Sequence, residues 1–394
     1  MAVNIPSSHL RYLRLTFLVT ALAMTRASAF ATNKRGLAEE LIEGARSSPE
    51  VRNVALAELQ KEELNSEPEA GNTKQDEAST PTPFDLILLA GRELEAGRPD
   101  NAIERYDAVM IMDVPAKTAA EACLGRGNAY RMKGDSERAM RDYEEAVKLD
   151  PRNPSGYVYR GLMLSASGDH AGAIRDLSEA VRFDPKMYRA FYNRAGDYMA
   201  MENLPLARRD LDEAIRLYPK YARAFVRRGA VHAYQGQMEE AERDYKKATV
   251  LQPTDAAGWA GLAQVDLVRR RYAAALRNLE KGLEINPPQP EAWLDKLARI
   301  RSTSPVKSVR NGAKAIQEAL QACQLSHWAV GGYVETLAAA YAEAGKFEKA
   351  SDFQWFAISL ANDQAVRAEA ERRLRLYDRH QPFREGQSDG GSHS

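Results

Sequence analysis

Residues 188–221 read YRAFYNRAGDYMAMENLPLARRDLDEAIRLYPKY, and the spacing within this stretch decides the fold. Phe191, Ala195 and Tyr198 stand at i, i+4 and i+7, on one face of a first helix. After a break around Glu202–Pro205, Ala207, Leu211 and Ala214 repeat that spacing on a second helix. The small Ala195 and Ala207 let the two backbones approach, while the aromatic and leucine side chains fill the space beside them. Pro219 stops the second helix, because proline has no N–H and its ring clashes with the preceding turn. The stretch encodes one antiparallel helix pair.

The pattern extends in both directions. Pro151, Pro185, Pro219, Pro253 and Pro287 are each 34 residues apart, as are Ala139, Ala173, Ala207, Ala241 and Ala275. Arg141, Arg175, Arg209, Arg243 and Arg277 keep the same step. Small residues recur in phase at Gly127, Gly161, Ala195, Gly229 and Ala263, and large apolar ones at Tyr157, Phe191, Phe225 and Trp259. A single pair cannot bury its own apolar face, so successive pairs must stack into a superhelical solenoid.

This order of large, small, aromatic, Ala, Leu or Tyr, Ala and Pro closely resembles the tetratricopeptide repeat. The resemblance implies an all-α, right-handed superhelical solenoid of antiparallel helix pairs over residues 83–364. It divides into eight repeats: 83–119, 120–153, 154–187, 188–221, 222–255, 256–289, 290–330 and 331–364. The first is degenerate, with Glu93 where an aromatic is usual, and the seventh carries the insertion STSPVKSVRNG between its helices. Residues 365–380 are expected to form a C-terminal capping helix with one apolar stripe, and 381–394, ending GQSDGGSHS, a disordered tail. The segments RNGAKAIQEALQACQLSHW, YVETLAAAYAEAGKFEKA and LRLYDRHQPFRE further resemble the C-terminal region of exported repeat proteins of planctomycete-like bacteria, which implies a lineage rather than an activity.

Composition sets outer limits. The chain has 394 residues, 44% of them hydrophobic and 28% charged, which excludes wholesale disorder. Fifty-five basic side chains balance fifty-five acidic ones, so nothing argues for bulk binding to nucleic acid or anionic lipid. Two cysteines 200 residues apart exclude a disulfide framework and a clustered-Cys metal site. Residues 1–29 read as a signal peptide: Arg11 and Arg14, the apolar run Leu15–Met24, and the small-x-small Ala27-Ser28-Ala29. An uncleaved interfacial helix is the alternative. Ten apolar residues are too few to span a bilayer as a helix, which needs about 20. Cleavage removes three arginines and leaves a net charge of about −3, with no stable membrane insertion. Residues 30–82 are an acidic, largely disordered spacer ending in SEPEAGNTKQDEASTPTP. The expected location is outside the cytoplasm, in a bacterial periplasm or extracellular.

One regularity is chemical. Arg126, Arg160, Arg194 and Arg228 each have an acid sixteen residues later, at Asp142, Asp176, Asp210 and Asp244. In the sixth repeat Leu262 and Asn278 replace both together. The expectation is an interhelical guanidinium–carboxylate pair at a partly buried seam rather than an Arg ladder for a ligand.

Function is sought in the groove, because the resemblance implies extended peptides held on the concave face of the first helices. Concave positions in the third to fifth repeats supply Arg189, Tyr192, Asn193, Arg223, Arg227 and Tyr234 as candidate peptide-binding residues. Clamp-type members of the family hold a C-terminal carboxylate across three repeats. Asn193 matches their second-repeat Asn, and Arg223 and Arg227 match their two cations, but Val158 and Leu162 stand where a Lys and an Asn are needed. Cations with tyrosines suit an acidic or C-terminal peptide; a solvated or internally paired cluster is the plain alternative.

Other candidates are bland. Arg269-Arg270-Arg271 reads as a solvated turn, Cys123 and Cys323 as core thiols, and His232 as a packed core residue. The sequence has no GxSxG, GxxxxGK[ST], GxGxxG or HExxH, so no catalytic residue, cofactor or metal ligand is assigned. The functional expectation is an exported, non-catalytic scaffold that holds an extended protein or peptide partner in its groove. The alternative is an assembly subunit of an envelope complex, acting by self-association or through its convex face.

Overall fold

The computed structural model describes residues 81–386. The signal peptide, nearly all of the acidic spacer and the last eight residues expected in the tail lie outside the described residues. Seventeen α-helices and one short 3-10 turn, with no strand, make up the described residues. They divide into two units, described separately: one ending at Met163 and one starting at Leu164.

The first unit contains α1 (Pro83–Glu95), α2 (Pro99–Ile111), α3 (Ala116–Met132), α4 (Ser136–Leu149) and most of α5 (Pro154–Ala166). The helical array starts where the polar linker ends. Thr82 caps α1 through its hydroxyl, which accepts from the Asp85 N–H at 3.2 Å, while Asp85 Oδ2 accepts from the Thr82 N–H at 3.0 Å. Such reciprocal bonds satisfy the donors that a helix N-terminus leaves unpaired. α1 pairs with α2 and α3 with α4. Between α3 and α4, Cys123, Ala139 and Tyr143 are fully buried. Gly127 makes room for the Tyr143 ring, which lies 2.6 Å from where a Cβ would sit.

The second unit contains α6 (His170–Phe183), α7 (Tyr188–Ala200), α8 (Leu204–Leu217), α9 (Ala222–Tyr234), α10 (Met238–Leu251), α11 (Ala256–Val268), α12 (Tyr272–Glu284), α13 (Pro290–Thr303), α14 (Gly312–Leu325), α15 (Gly331–Glu343), α16 (Phe347–Leu360) and α17 (Gln364–Asp378). Pairing is between consecutive helices, α7 with α8 through α15 with α16, and α17 closes the stack on α16. In residues 188–221, Ala195, Ala207, Leu211 and Ala214 are all fully buried, as their spacing requires. α8 ends at Leu217, and Tyr218 leaves the helical region, at φ −137° and ψ 84°, because a following proline disfavours that region. The capping helix is α17, and it buries Ala370, Leu374 and Tyr377.

One boundary differs from the sequence reading. The expected tail is ordered from 381 as far as it is described. Arg384 bonds to the end of α13, Glu385 N–H donates to the Thr303 carbonyl at 2.9 Å, and Phe383 packs against the last core cluster. His232 is largely packed, as expected: 12% of its side chain is exposed, with Nδ1 2.6 Å from Gln237 Oε1 and Nε2 3.8 Å from Asp244 Oδ2.

Candidate functional site

The arginine–aspartate seam is present where each unit contains both partners. Arg126 holds Asp142 through Nε and Nη2 at 2.9 and 2.6 Å. Arg194 holds Asp210 at 2.7 and 2.8 Å, and Arg228 holds Asp244 at 2.8 and 2.7 Å. Arg160 belongs to the first unit and Asp176 to the second. The sequence reading missed a third partner. The remaining guanidinium nitrogen of each arginine reaches back to the preceding second helix, at Asp107 (2.6 Å), Ser178 (3.0 Å) and Asp212 (2.8 Å). Each arginine thus ties three helices, which is structural work. An open cleft of about 1000 Å³ runs along this side, lined by Val181, Phe191, Arg194, Tyr198, Leu206 and Arg208 among others, and none of the six candidate residues lines it.

The six candidates lie on the first helices α7 and α9. Arg227 reaches across from α9 to α7. Its guanidinium carbon sits 3.9 Å from the Tyr192 ring centroid, and Nη1 donates to the Tyr192 carbonyl at 2.7 Å. Gly196 permits this approach, since a Cβ there would lie 2.8 Å from Arg227 Nη1. Tyr192 meets Tyr221 edge-on at 4.9 Å between centroids. Arg189 Nε donates to the Tyr188 hydroxyl at 3.2 Å. Arg223 is exposed near the start of α9.

Three tyrosines complete the patch that the sequence reading left out. Tyr188, Tyr218 and Tyr221 stand where α7 begins, α8 ends and α9 begins, with Tyr188 4.9 and 5.0 Å from Tyr218 and Tyr221. Burial raises the Tyr221 phenol pKa, partly offset by the positive charges of Arg223 and Arg227, so the hydroxyl stays neutral and able to donate. Their only signal in the sequence was position at helix ends, which the face-by-face reading does not weigh. Asn193 is half-buried on α7 and makes no side-chain hydrogen bond within the described residues. Tyr234 is exposed at the last turn of α9, eleven residues beyond Arg223 and so about 16 Å along the axis. It is outside the patch. Val158, in the place of a clamp lysine, is buried.

Among the described residues Arg223 and Arg227 have no carboxylate partner, as is also true of Arg208, Arg209 and Arg277; what sets this patch apart is the group of tyrosines around Arg227. In the Arg269–Arg271 turn two of the three arginines are neutralised. Arg269 pairs with Glu239 and Glu242, and Arg271 with Glu242 at 2.8 Å and Asp266 at 2.7 Å. Both cysteines are fully buried, and burial pushes the Cys323 thiol up to about 12. Among the described residues no group of three or more His, Cys, Asp or Glu is placed to hold a metal, and no helix is long and apolar enough to cross a membrane.

Family profiles described as tetratricopeptide repeat match residues 120–153 and 192–256. Among solved structures, a tetratricopeptide repeat protein from Parabacteroides merdae ATCC 43184 is similar at 17% identity, over 75% of this chain and 98% of its own, with a TM-score of 0.46. MamA is similar at 25% identity over 41% of this chain and 94% of its own, with a TM-score of 0.37. YrrB, titled a TPR protein with an unusual peptide-binding site, is similar at 22% identity over 46% and 92%, with a TM-score of 0.38. No curated protein matches the chain.

Proposed function

Because the chain is a tetratricopeptide-repeat protein, we propose that it is a non-catalytic scaffold whose α7–α9 face binds an acidic or C-terminal segment of a protein partner. One observation carries this reading: Arg227, with no carboxylate partner among the described residues, lies over Tyr192 in a group of four tyrosines, and the equally unpaired Arg223 acts electrostatically on one of them, Tyr221. Elsewhere in the fold, Arg126, Arg194 and Arg228 are all neutralised in place. An incoming carboxylate gains a charge-assisted bond from Arg223 or Arg227, each contributing about 1.5–3 kcal/mol if water is excluded and less where it is not. The tyrosine rings offer apolar surface and hydroxyl donors for the residues before that carboxylate.

Calorimetric titration with peptides ending in an acidic residue tests the proposal. Wild type should bind, and Arg223→Ala/Arg227→Ala should lose roughly tenfold or more. Binding should weaken with salt, as screening over about 8–10 Å requires. Equal affinity in the double variant, or salt-independent binding, would place the site elsewhere.

The same reading includes export through residues 1–29, and rests on Leu15–Met24 followed by Ala27-Ser28-Ala29. N-terminal sequencing of material from outside the cytoplasm should begin at Phe30. Recovery of intact Met1 from membranes would remove the export proposal and leave the binding one untouched.

A further inference from the structure

The insertion in the seventh repeat and the residues after the capping helix are unlike anything in the other repeats, and the structure joins them. α13 ends at Thr303 and α15 at Glu343, so two first helices bring their C-terminal ends to one place. Helix C-termini leave carbonyls unsatisfied and carry partial negative charge. Glu343 adds a full negative charge at the end of the helix where a carboxylate is least favoured. Such an acid needs cations.

Residues 381–384, in neither helix nor strand, supply one. Arg384 pairs with Glu343, and its Nη1 donates to the Ser302 carbonyl at 3.0 Å. The Glu385 N–H takes the neighbouring Thr303 carbonyl at 2.9 Å. Phe383 packs against the cluster containing Leu337 and Tyr341, under Arg373, whose guanidinium carbon is 4.5 Å from the ring centroid. The insertion forms the opposite wall. Arg310 holds the other oxygen of Glu343 at 3.0 Å and the Ser304 carbonyl at 3.0 Å.

We propose that this is a second peptide-binding site, specific for an extended segment with an aromatic residue followed by arginine, and that the chain's own Phe383-Arg384 fills it. The division of labour is that of a recognition site. Backbone carbonyls fix the path of the segment, Glu343 selects the arginine, and the edge of the last core cluster, with Arg373 over it, selects the ring. Other repeats join their helices in a few residues, such as Met201–Asn203, and have no wall of this kind. The site takes a cationic ligand, opposite in sign to that of the α7–α9 face, and stands whether or not that face binds acidic peptides.

The test is fluorescence anisotropy with a labelled, end-capped peptide of residues 379–386, added to the full chain. Phe383→Ala/Arg384→Ala should free the site and bind the peptide saturably, while wild type, with the site filled, should bind roughly tenfold more weakly or worse. Exchanging the arginine of the peptide for alanine, or adding Glu343→Gln to the protein, should each weaken binding by about tenfold. If the double variant loses helicity, Arg384→Ala alone carries the test: it empties only the arginine position, so it should bind the peptide more tightly than wild type though below full affinity, and no gain over wild type would overturn the proposal. A folded variant that does not bind the peptide, or that binds the alanine peptide equally well, would overturn the proposal.

Discussion

At the scale of single residues, the molecule is held by charges that the fold has largely removed from water. Arg194 has 15% of its side chain exposed and Asp210 6%, so deleting either leaves the other charge poorly solvated. Arg194→Leu and Asp210→Asn should therefore be strongly non-additive, with a coupling of about 1–3 kcal/mol in urea denaturation. Additive losses would break the pairing argument. The natural Leu262–Asn278 exchange does not predict a harmless double variant, because Asn278 has turned to Asp266, at 2.8 Å. Asp295 shows the opposite case. It is 7% exposed and its Oδ1 has no hydrogen-bond partner among the described residues; burial raises its pKa, only partly offset by Arg299 and a hydrogen bond with Thr336. A raised carboxyl pKa gives stability that is complete below the unfolded value of about 4 and is lost as pH rises through the folded value. At neutral pH ionised Asp295 is a cost. Asp295→Asn should raise Tm at pH 7, and its advantage should shrink as pH falls toward about 4. A Tm difference that is flat across that range would contradict the burial argument.

At the scale of the helix pair, the tight connections repeat as faithfully as the helices. Gly134, Gly168, Glu202, Gly236 and Arg270 stand one period apart, all with positive φ, at 77, 87, 58, 74 and 55°. Each lies two residues before the second helix starts, and in three of them the residue between, Asp135, Asp169 or Asn203, caps that helix. Glycine adopts this left-handed conformation freely, whereas a side chain is strained in it by about 1 kcal/mol or more. Glu202→Gly should accordingly stabilise the fold by roughly 0.5–1 kcal/mol in chemical denaturation. A loss of stability there would mean that Glu202 makes a contribution its backbone does not reveal. Regular spacing made these turns findable from the chain alone. What spacing did not reveal was the third contact of each seam arginine, because Asp107, Ser178 and Asp212 lie on the helix before and share no single residue type.

At the scale of the whole molecule, a stack must end on something. α17 covers α16, burying Ala370, Leu374 and Tyr377, and Gln354 Nε2 donates to the Ala370 carbonyl at 3.0 Å. Removing residues 364–394 should lower stability by roughly 3–6 kcal/mol, the worth of burying Leu374 and Tyr377, and should expose Ile358 to aggregation. An unchanged urea midpoint would show that α17 is an appendage. The all-α class, the period, the small positions at helix contacts, the seam pairs and the capping helix were determined by the sequence itself. Each depends on neighbours close in the chain or one period away, and such interactions leave a regular spacing. Tertiary structure alone decided which arginines remain without a carboxylate, and that Tyr188, Tyr218 and Tyr221 join Tyr192 and Arg227. It alone separated Tyr234 from that patch and brought Phe383 and Arg384 against Ser302 and Glu343. Those contacts join helix ends and irregular segments across separations that follow no period, so no spacing along the chain records them.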